Sequence, residues 1–491
     1  MRLKQLRLLF EAKTERLRSM KKEAIEKVCK SVLRKVRPSK REREEVLSFS
    51  GSLANELAKK LRSKKIVAEV MVEGSVAKDT WLAGERDVDL FMLLSTKYSK
   101  EDFPRVLDVV KDFVGRGWRE VYAEHPYVEA DLKGYTVDFV PCFKIRKADE
   151  VVSSADRSPL HTAYVKVHLS EAMKDDVRLL KRFMHGTNVY GAEIKVKGFS
   201  GYACEVLVLS YGSFFEVLKA ASKWMHGHIV DVEEFYEDSK EEARMLFDSP
   251  LIIVDPIDKN RNVAAAVSRK KLGEFVAASR AFLEFPAEEF FYPSETKPLA
   301  ASDLPQEFEA RGTDVIFLVF NRVDVAPDVL WGQLWKSSES LRKLLKRNDF
   351  QVINASAWSD EQAVNVLLFE LEDALISQSK KHVGPPVISG YAEKFLKKHV
   401  GVERTISGPW IEDGRWMVLL RRRFNDATLL LREKLKDGGI RVGVGSKLVK
   451  GIRDNLAILK NGEISNFYSS NTDFARFFTE YLQGRPKWLS S

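Results

Sequence analysis

Asp87 and Asp89 stand two residues apart in the alternating run Asp87-Val-Asp-Leu-Phe-Met-Leu-Leu94, so on a strand their side chains leave the same face. Two carboxylates that close need a cation between them. Hard oxygen ligands of this kind suit Mg²⁺, which keeps several waters, takes one or two carboxylates and completes its shell with substrate phosphates. Upstream, Gly74-Ser75 follows the apolar run 66–72, and a glycine there lets backbone amides and the Ser75 hydroxyl approach phosphate oxygens. Lys78 adds a positive charge one turn further on. An isolated Asp-x-Asp is usually a solvated strand edge; the Gly-Ser turn at this spacing is what argues for metal-dependent chemistry on a nucleoside triphosphate.

Two-metal phosphoryl transfer needs a carboxylate near the attacking hydroxyl as well as near the leaving group. Asp138, in the β-rich run Gly134-Tyr-Thr-Val-Asp-Phe-Val-Pro-Cys142, is the candidate, pointing from a buried strand into a cleft. Asp131 is its rival, but lies an odd number of residues away and is expected on the opposite side.

These residues need elements to hold them. Apolar residues recur at three and four from Thr14 to Val36, an amphipathic helix that ends before Pro38. Ser39 and Glu42 then form a capping box for a second helix to about Leu61. Both precede the strand leading to Gly74, so residues 1–150 read as helices on a small mixed sheet. Residues 151–270 turn helical, with Val177, Leu180, Phe183 and Met184 on one face and a further helix from Tyr202 to Leu218. His161, Lys181 and Tyr190 punctuate this region; His168 and His185 read as structural. The run Leu251-Ile-Ile-Val254 ends in Asp255-Pro256, and Asn262 is placed to cap an alanine-rich helix. Arg261 carries a rigid planar fork able to satisfy acceptors on C or A, with an arginine at a helix end held in a salt bridge as the equal alternative. Within 271–491 the order strand 315–320, helix 327–346, strands 350–357 and 363–371 suggests an α/β body, followed by a hairpin turning at Asp413-Gly414.

The wording Gly74-Ser-Val-Ala-Lys-Asp-Thr-Trp-Leu82 resembles the archaeal class I CCA-adding enzymes of the polymerase-beta-like nucleotidyltransferase superfamily. The resemblance continues through Ala123-Glu-His-Pro-Tyr127, Val137-Asp-Phe-Val-Pro-Cys142, Asp156-Arg-Ser-Pro-Leu-His161, Val177-Arg-Leu-Leu-Lys181, Val189-Tyr-Gly-Ala-Glu193, Gly198-Phe-Ser-Gly-Tyr202 and Asp255-Pro-Ile-Asp-Lys-Asn-Arg-Asn-Val-Ala264. It implies an α/β, multidomain chain: a nucleotidyltransferase catalytic head (1–150), a helical central domain completing the nucleotide pocket (151–270), and a body and tail holding the tRNA acceptor arm (271–491). It also implies template-independent building and repair of the 3′-terminal CCA of tRNA from CTP and ATP, with Mg²⁺ and release of pyrophosphate. Asp87, Asp89 and Asp138 take the metal-binding catalytic positions, and His161, Lys181 and Tyr190 the triphosphate-binding ones, beside Ser75 and Lys78; Arg261 is assigned to the base. The family often has Glu where Asp87 stands, and either carboxylate binds magnesium. A homodimer is the implied assembly. The alternative is a poly(A) polymerase or another terminal RNA nucleotidyltransferase of the same superfamily, whose three carboxylates look alike; a binding module that keeps the fold tends to lose them.

Composition sets the remaining bounds. With 491 residues and 44% hydrophobic content the chain can bury several cores, and its formal charge of +9 is compatible with a polyanionic partner without naming one. Basic clusters occur in the first sixty residues and at Arg421-Arg-Arg423, Lys434-Leu-Lys436 and Lys447-Leu-Val-Lys450. Three widely spaced cysteines, Cys29, Cys142 and Cys204, support neither a disulfide framework nor a zinc site. No stretch reaches the ~18 apolar residues of a membrane span and the basic N-terminus lacks a signal core, so a soluble, cytoplasmic protein is expected.

Overall fold

Pro38 ends one helix and Ser39 starts the next. The Ser39 hydroxyl accepts from Glu42 N at 3.2 Å and the Glu42 carboxylate accepts from Ser39 N at 2.8 Å, closing both arms of the expected capping box. The computed structural model describes residues 20–122 and 125–489; the expected start of the first helix at Thr14, and Ala123 and Glu124, lie outside them. The chain forms two compact units, one of residues up to Glu295 together with those from Arg485, the other Thr296–Gly484.

In the first unit, helix α1 (20–36) and α2 (Lys40–Ser63) lead into β1 (Ala68–Glu73), the short α3 (Gly74–Lys78) and β2 (Asp87–Leu94). Helix α4 (Phe103–Val114) and strands β3 (Trp118–Tyr122), β4 (Pro126–Leu132) and β5 (Tyr135–Phe143) follow. The sheet order is β1-β2-β5-β4-β3, with β2 and β5 parallel and the other pairs antiparallel, the small mixed sheet anticipated. Alternation sorts its faces: Val88, Leu90, Met92, Val137, Phe139 and Val128 pack under α2 and α4, which leaves the aspartates on the opposite face. Helix α1 departs from expectation. Its Ile25, Val32 and Val36 are buried in the core of the helical region and not against the sheet.

That helical region comprises α5 (Arg157–His168), α6 (Glu171–Gly186), α7 (Gly201–Tyr211) and α8 (Phe214–Ala221). The single helix expected from Tyr202 to Leu218 is broken: Gly212 takes φ +86°, which only glycine adopts freely, and the Ser213 hydroxyl starts α8 while Asp176 accepts from Phe214 N at 2.9 Å. A three-stranded sheet of β6 (His228–Val230), β7 (Leu251–Asp255) and β8 (Asp258–Asn262) comes next, with α9 (Lys240–Phe247) between its first two strands. Asn262 does not cap an alanine-rich helix. Its amide accepts from Ile253 N at 2.9 Å and donates to Leu251 O at 2.9 Å, so it stitches β8 to β7; residues 263–266 form turns, and α10 (Arg269–Glu284) is capped by Ser268. Phe183 on α6, Phe214 on α8 and Phe275 and Phe282 on α10 form the aromatic centre of this core, to which Trp488 returns, stacked on Phe290 at 5.3 Å.

The second unit contains a four-stranded antiparallel sheet in the order 352–359, 364–371, 314–321, 457–460. Helix Pro327–Arg347 covers one face through Leu334, Leu341 and Leu345, while Leu304–Arg311 and Thr472–Gln483 cover the other. A second, three-stranded sheet includes the hairpin Thr405–Glu412 and Arg415–Arg421, with Asp413 and Gly414 both at positive φ as its tight turn requires. Among the described residues no single helix is long and apolar enough to cross a membrane, and the three cysteines are free thiols.

Candidate active site

Strand register converts two aspartates into a row of acids. Glu73 on β1 is paired with Asp89 on β2, Asp89 with Asp138 on β5, and Asp138 with Glu129 on β4. Directly paired residues share a sheet face, so four carboxylates cross four strands at one level, spaced at roughly 4.8 Å per strand. Asp87 lies one step along the same face, opposite Thr136. Burial, then the charges of Asp89, Glu129 and Asp87, push the Asp138 carboxyl up to about 7. Burial likewise raises Asp89 and Asp87. Glu129 is relieved at the far end by Arg119 at 2.5 Å. Asp138 Oδ1 is buried with no hydrogen-bond partner; burial raises Glu73 against the opposing effect of the Thr162 hydroxyl and the charges of Lys166 and Lys78.

Asp131 is not on the opposite face. It pairs with Thr136 and accepts from the Thr136 hydroxyl at 3.3 Å, one step from Asp138 on the same side. Odd spacing misleads there because the turn at Lys133-Gly134, both at positive φ, separates two strands. Gly74, at φ +66°, is shaped by Asp89: a Cβ at that position would overlap the Asp89 carboxylate.

The expected nucleotide-binding side chains gather beside this row. Lys78 is buried and paired with Glu205 of α7 at 2.5 Å, while the other Glu205 oxygen accepts from the Thr80 hydroxyl at 2.6 Å. Lys181 donates to Thr80 O at 2.9 Å, and its ammonium lies with the Tyr190 hydroxyl around Gly201, within 3.5 Å of where a Cβ would stand. Both lysines lie near enough to Asp89 to oppose the effect of burial on it. Lys78 sits 5.6 Å over the Tyr202 ring, and His161 stacks on that ring at 4.0 Å. His161 Nε2 contacts Asp255 Oδ2 at 2.8 Å, and Arg261 Nη1 donates to the same oxygen at 2.6 Å. Ser75 lies half-buried in α3, its carbonyl accepting from Thr80 N at 3.0 Å. Burial pushes His185 down to about 4, and it stacks on Tyr190 at 4.0 Å, a neutral packing partner as expected.

Three family descriptions match the chain in order. Residues 54–161 match a nucleotidyltransferase domain, 175–292 the second domain of tRNA nucleotidyltransferase, and 311–461 the C-terminal domain of CCA-adding enzyme. The CCA-adding enzyme of Methanosarcina mazei is 34% identical over 458 residues, covering 92% of this chain and 97% of that protein. That of Pyrobaculum neutrophilum is 38% identical over 415 residues, covering 84% and 94%. The chain belongs to the CCA-adding enzymes.

A CCA-adding enzyme performs nucleotidyl transfer, which places a divalent cation and a triphosphate against protein carboxylates and cations. The acidic row fits such a cation: its donors are hard oxygens, burial and the neighbouring acids raise the Asp138 carboxyl, and Asp138 Oδ1 has no partner in the protein. Among the described residues no three His, Cys, Asp or Glu side chains are grouped closely enough to hold a metal ion. Sequence reading missed Glu73, Glu129, Glu205 and Asp255. Glu205 carried a signal, being the one acid in the apolar helix α7, where a buried charge must be paired. Arg178 was quoted without a role; it is buried and reaches from α6 to Trp81 O at 3.1 Å and Asp79 Oδ1 at 2.6 Å, holding the loop that carries Thr80.

Proposed function

We propose that the acidic row and the cluster around Lys78, Lys181 and Asp255 are two halves of one site that extends the 3′ end of tRNA by C, C and A, taking CTP and ATP with Mg²⁺ as the cation. The observation that carries this reading is the direct pairing of Asp89 with Asp138, with Asp138 Oδ1 buried and unpartnered beside a cluster of cations. Asp87, Asp89 and Asp138 are the residues that would hold Mg²⁺, which when bound neutralises developing charge on the phosphates and lowers the pKa of the attacking hydroxyl. Asp138 faces the 3′-hydroxyl, its free Oδ1 able to accept a hydrogen bond. The 3′-hydroxyl passes its proton to Asp138 Oδ1 as its oxygen bonds to the α-phosphorus and the bond to the bridging oxygen breaks, and pyrophosphate leaves. Lys181, His161 and the Tyr190 hydroxyl offer donors to the phosphate tail, with Ser75 at the turn below it. Lys78 acts as a charge fixed by Glu205, and not as a mobile arm. Arg261 presents the remaining edge of its guanidinium to the base.

The second unit supplies the surface for the acceptor arm, read through phosphates and 2′-hydroxyls because the deep groove of A-form RNA is closed to side chains. The working particle is a homodimer, on the strength of the family resemblance; light scattering that returns the mass of a single 56.0 kDa chain overturns it.

The test is a tRNA transcript lacking CCA, incubated with Mg²⁺ and CTP, ATP, both or UTP, and resolved at single-nucleotide length. Two C residues with CTP alone, and a halt after three additions with both, are expected. Asp138→Ala should bind the transcript without extending it. An open-ended A ladder, or extension by Asp138→Ala, refutes the assignment.

A further inference from the structure

Asp255 is the last residue of β7 and is fully buried. Its four acceptor positions are all taken. Oδ2 contacts His161 Nε2 at 2.8 Å and accepts from Arg261 Nη1 at 2.6 Å; Oδ1 accepts from the Tyr202 hydroxyl at 3.1 Å and from Ile257 N at 3.1 Å. An ionised carboxylate offers about four such positions and no donor. The bond from Ile257 N closes the turn that launches β8, the strand on which Arg261 stands.

The consequence for Arg261 is orientation. A guanidinium has five donors in one plane; Nη1 is tethered to a buried carboxylate, which restricts where the group can swing, while the side chain as a whole stays 37% exposed. His161 is held by the same oxygen on one ring edge and by the Tyr202 ring on its face, so its Nδ1 edge is fixed as well. One carboxylate thus sets the directions of two side chains from different elements, α5 and β8.

We propose that Asp255 is a positioning residue for nucleotide selection: it aims the free edge of Arg261 at the base and the free edge of His161 at the phosphates, so that C and A are preferred over U and G. This rests on the reading that Arg261 and His161 meet the nucleotide.

Asp255→Asn is the direct test, because an amide must turn its N–H₂ toward one of the two donor pairs. The readouts are KM and kcat for CTP, and the CTP-over-UTP preference in kcat/KM, on a transcript lacking CCA. A charged hydrogen bond of this kind is worth roughly 10- to 100-fold, so KM should rise and the preference fall by about that factor, with kcat at saturating CTP changing by less than about three-fold. In an Arg261→Ala background, Asp255→Asn should leave the preference where Arg261→Ala put it. A carboxylate that merely holds the fold would lower kcat and active yield with the preference intact, and that result overturns the proposal.

Arg261→Ala separates the two levels of the argument. If it alters neither KM nor preference, Arg261 does not meet the nucleotide, and the underlying reading falls together with the proposal. If it alters both while Asp255→Asn alters neither, only the positioning role falls. Circular dichroism and thermal melting check the fold of Asp255→Asn. Should that variant not fold, Asp255→Glu decides with the charge kept and the carboxylate displaced by one methylene: a fall in the CTP-over-UTP preference supports the proposal and a retained preference overturns it.

Discussion

Asp138→Asn should stabilise the protein in the absence of divalent cation while abolishing transfer. In the parent, the carboxyl is held at about 7, above its ordinary 3.8, by burial and by Asp89, Glu129 and Asp87. A carboxyl raised in this way stays protonated in the folded state at pH values where the unfolded chain has already ionised. Its effect is therefore neutral below about pH 4, grows as a loss of stability between pH 4 and 7, and is constant above. At about 1.4 kcal/mol per pKa unit the full gap is about 4 kcal/mol. Sharing of charge along the row reduces this, so a gain of about 2–4 kcal/mol at pH 8 is expected for Asp138→Asn, shrinking to nothing at pH 4. Because two units unfold in one chain, the assay is amide hydrogen exchange of β2 and β5 in EDTA across pH, corrected for intrinsic rates. Added Mg²⁺ should protect the parent and leave the variant unchanged. A difference independent of pH, or a parent more protected than the variant at pH 8 in EDTA, refutes the electrostatic account of the row.

Gly74→Ala should fold but lose transfer by roughly 100-fold or more, since both the φ of +66° and the space taken by the Asp89 carboxylate exclude a side chain; single-turnover rates check it. Glu205→Gln removes the carboxylate that Lys78 is paired with at 2.5 Å, leaving only the acids of the row to answer a buried ammonium, and should cost about 3 kcal/mol; thermal melting should recover much of that loss when Lys78→Met is added, and no recovery would mean that the pair is not the reason. Asp87→Ala should weaken Mn²⁺ binding, measured directly by electron paramagnetic resonance, by about ten-fold or more; unchanged binding would take Asp87 out of the metal site.

Much of the site could be read from local pattern. Asp87 and Asp89 are legible because a strand has period two, and the Ser39–Glu42 cap because its residues are three apart. Asp138 needed the expectation of a third ligand. Glu73 and Glu129 were illegible for a different reason: their membership in the row depends on which residue faces which across strands, and register is set by tertiary pairing. The same gap misplaced Asp131, where counting along the chain passed through the turn at Lys133-Gly134. The helix break at Gly212-Ser213 had a sequence signal that apolar periodicity on both sides masked. Asn262 carries a capping residue's chemistry but spends it on Ile253 N and Leu251 O, a choice made by the neighbouring strand.

Trp488, stacked on Phe290 within the first unit, has a consequence for the order of events during synthesis. All of Thr296–Gly484 must leave the ribosome before this tryptophan does, so the first unit is completed only after the second has been made. At translation rates of roughly 5–20 residues per second, the aromatic core around Phe183 and Phe290 waits about ten seconds or more for its final ring. During that interval the second unit has time to fold by itself, and the nascent catalytic unit is the species most exposed to proteases and chaperones.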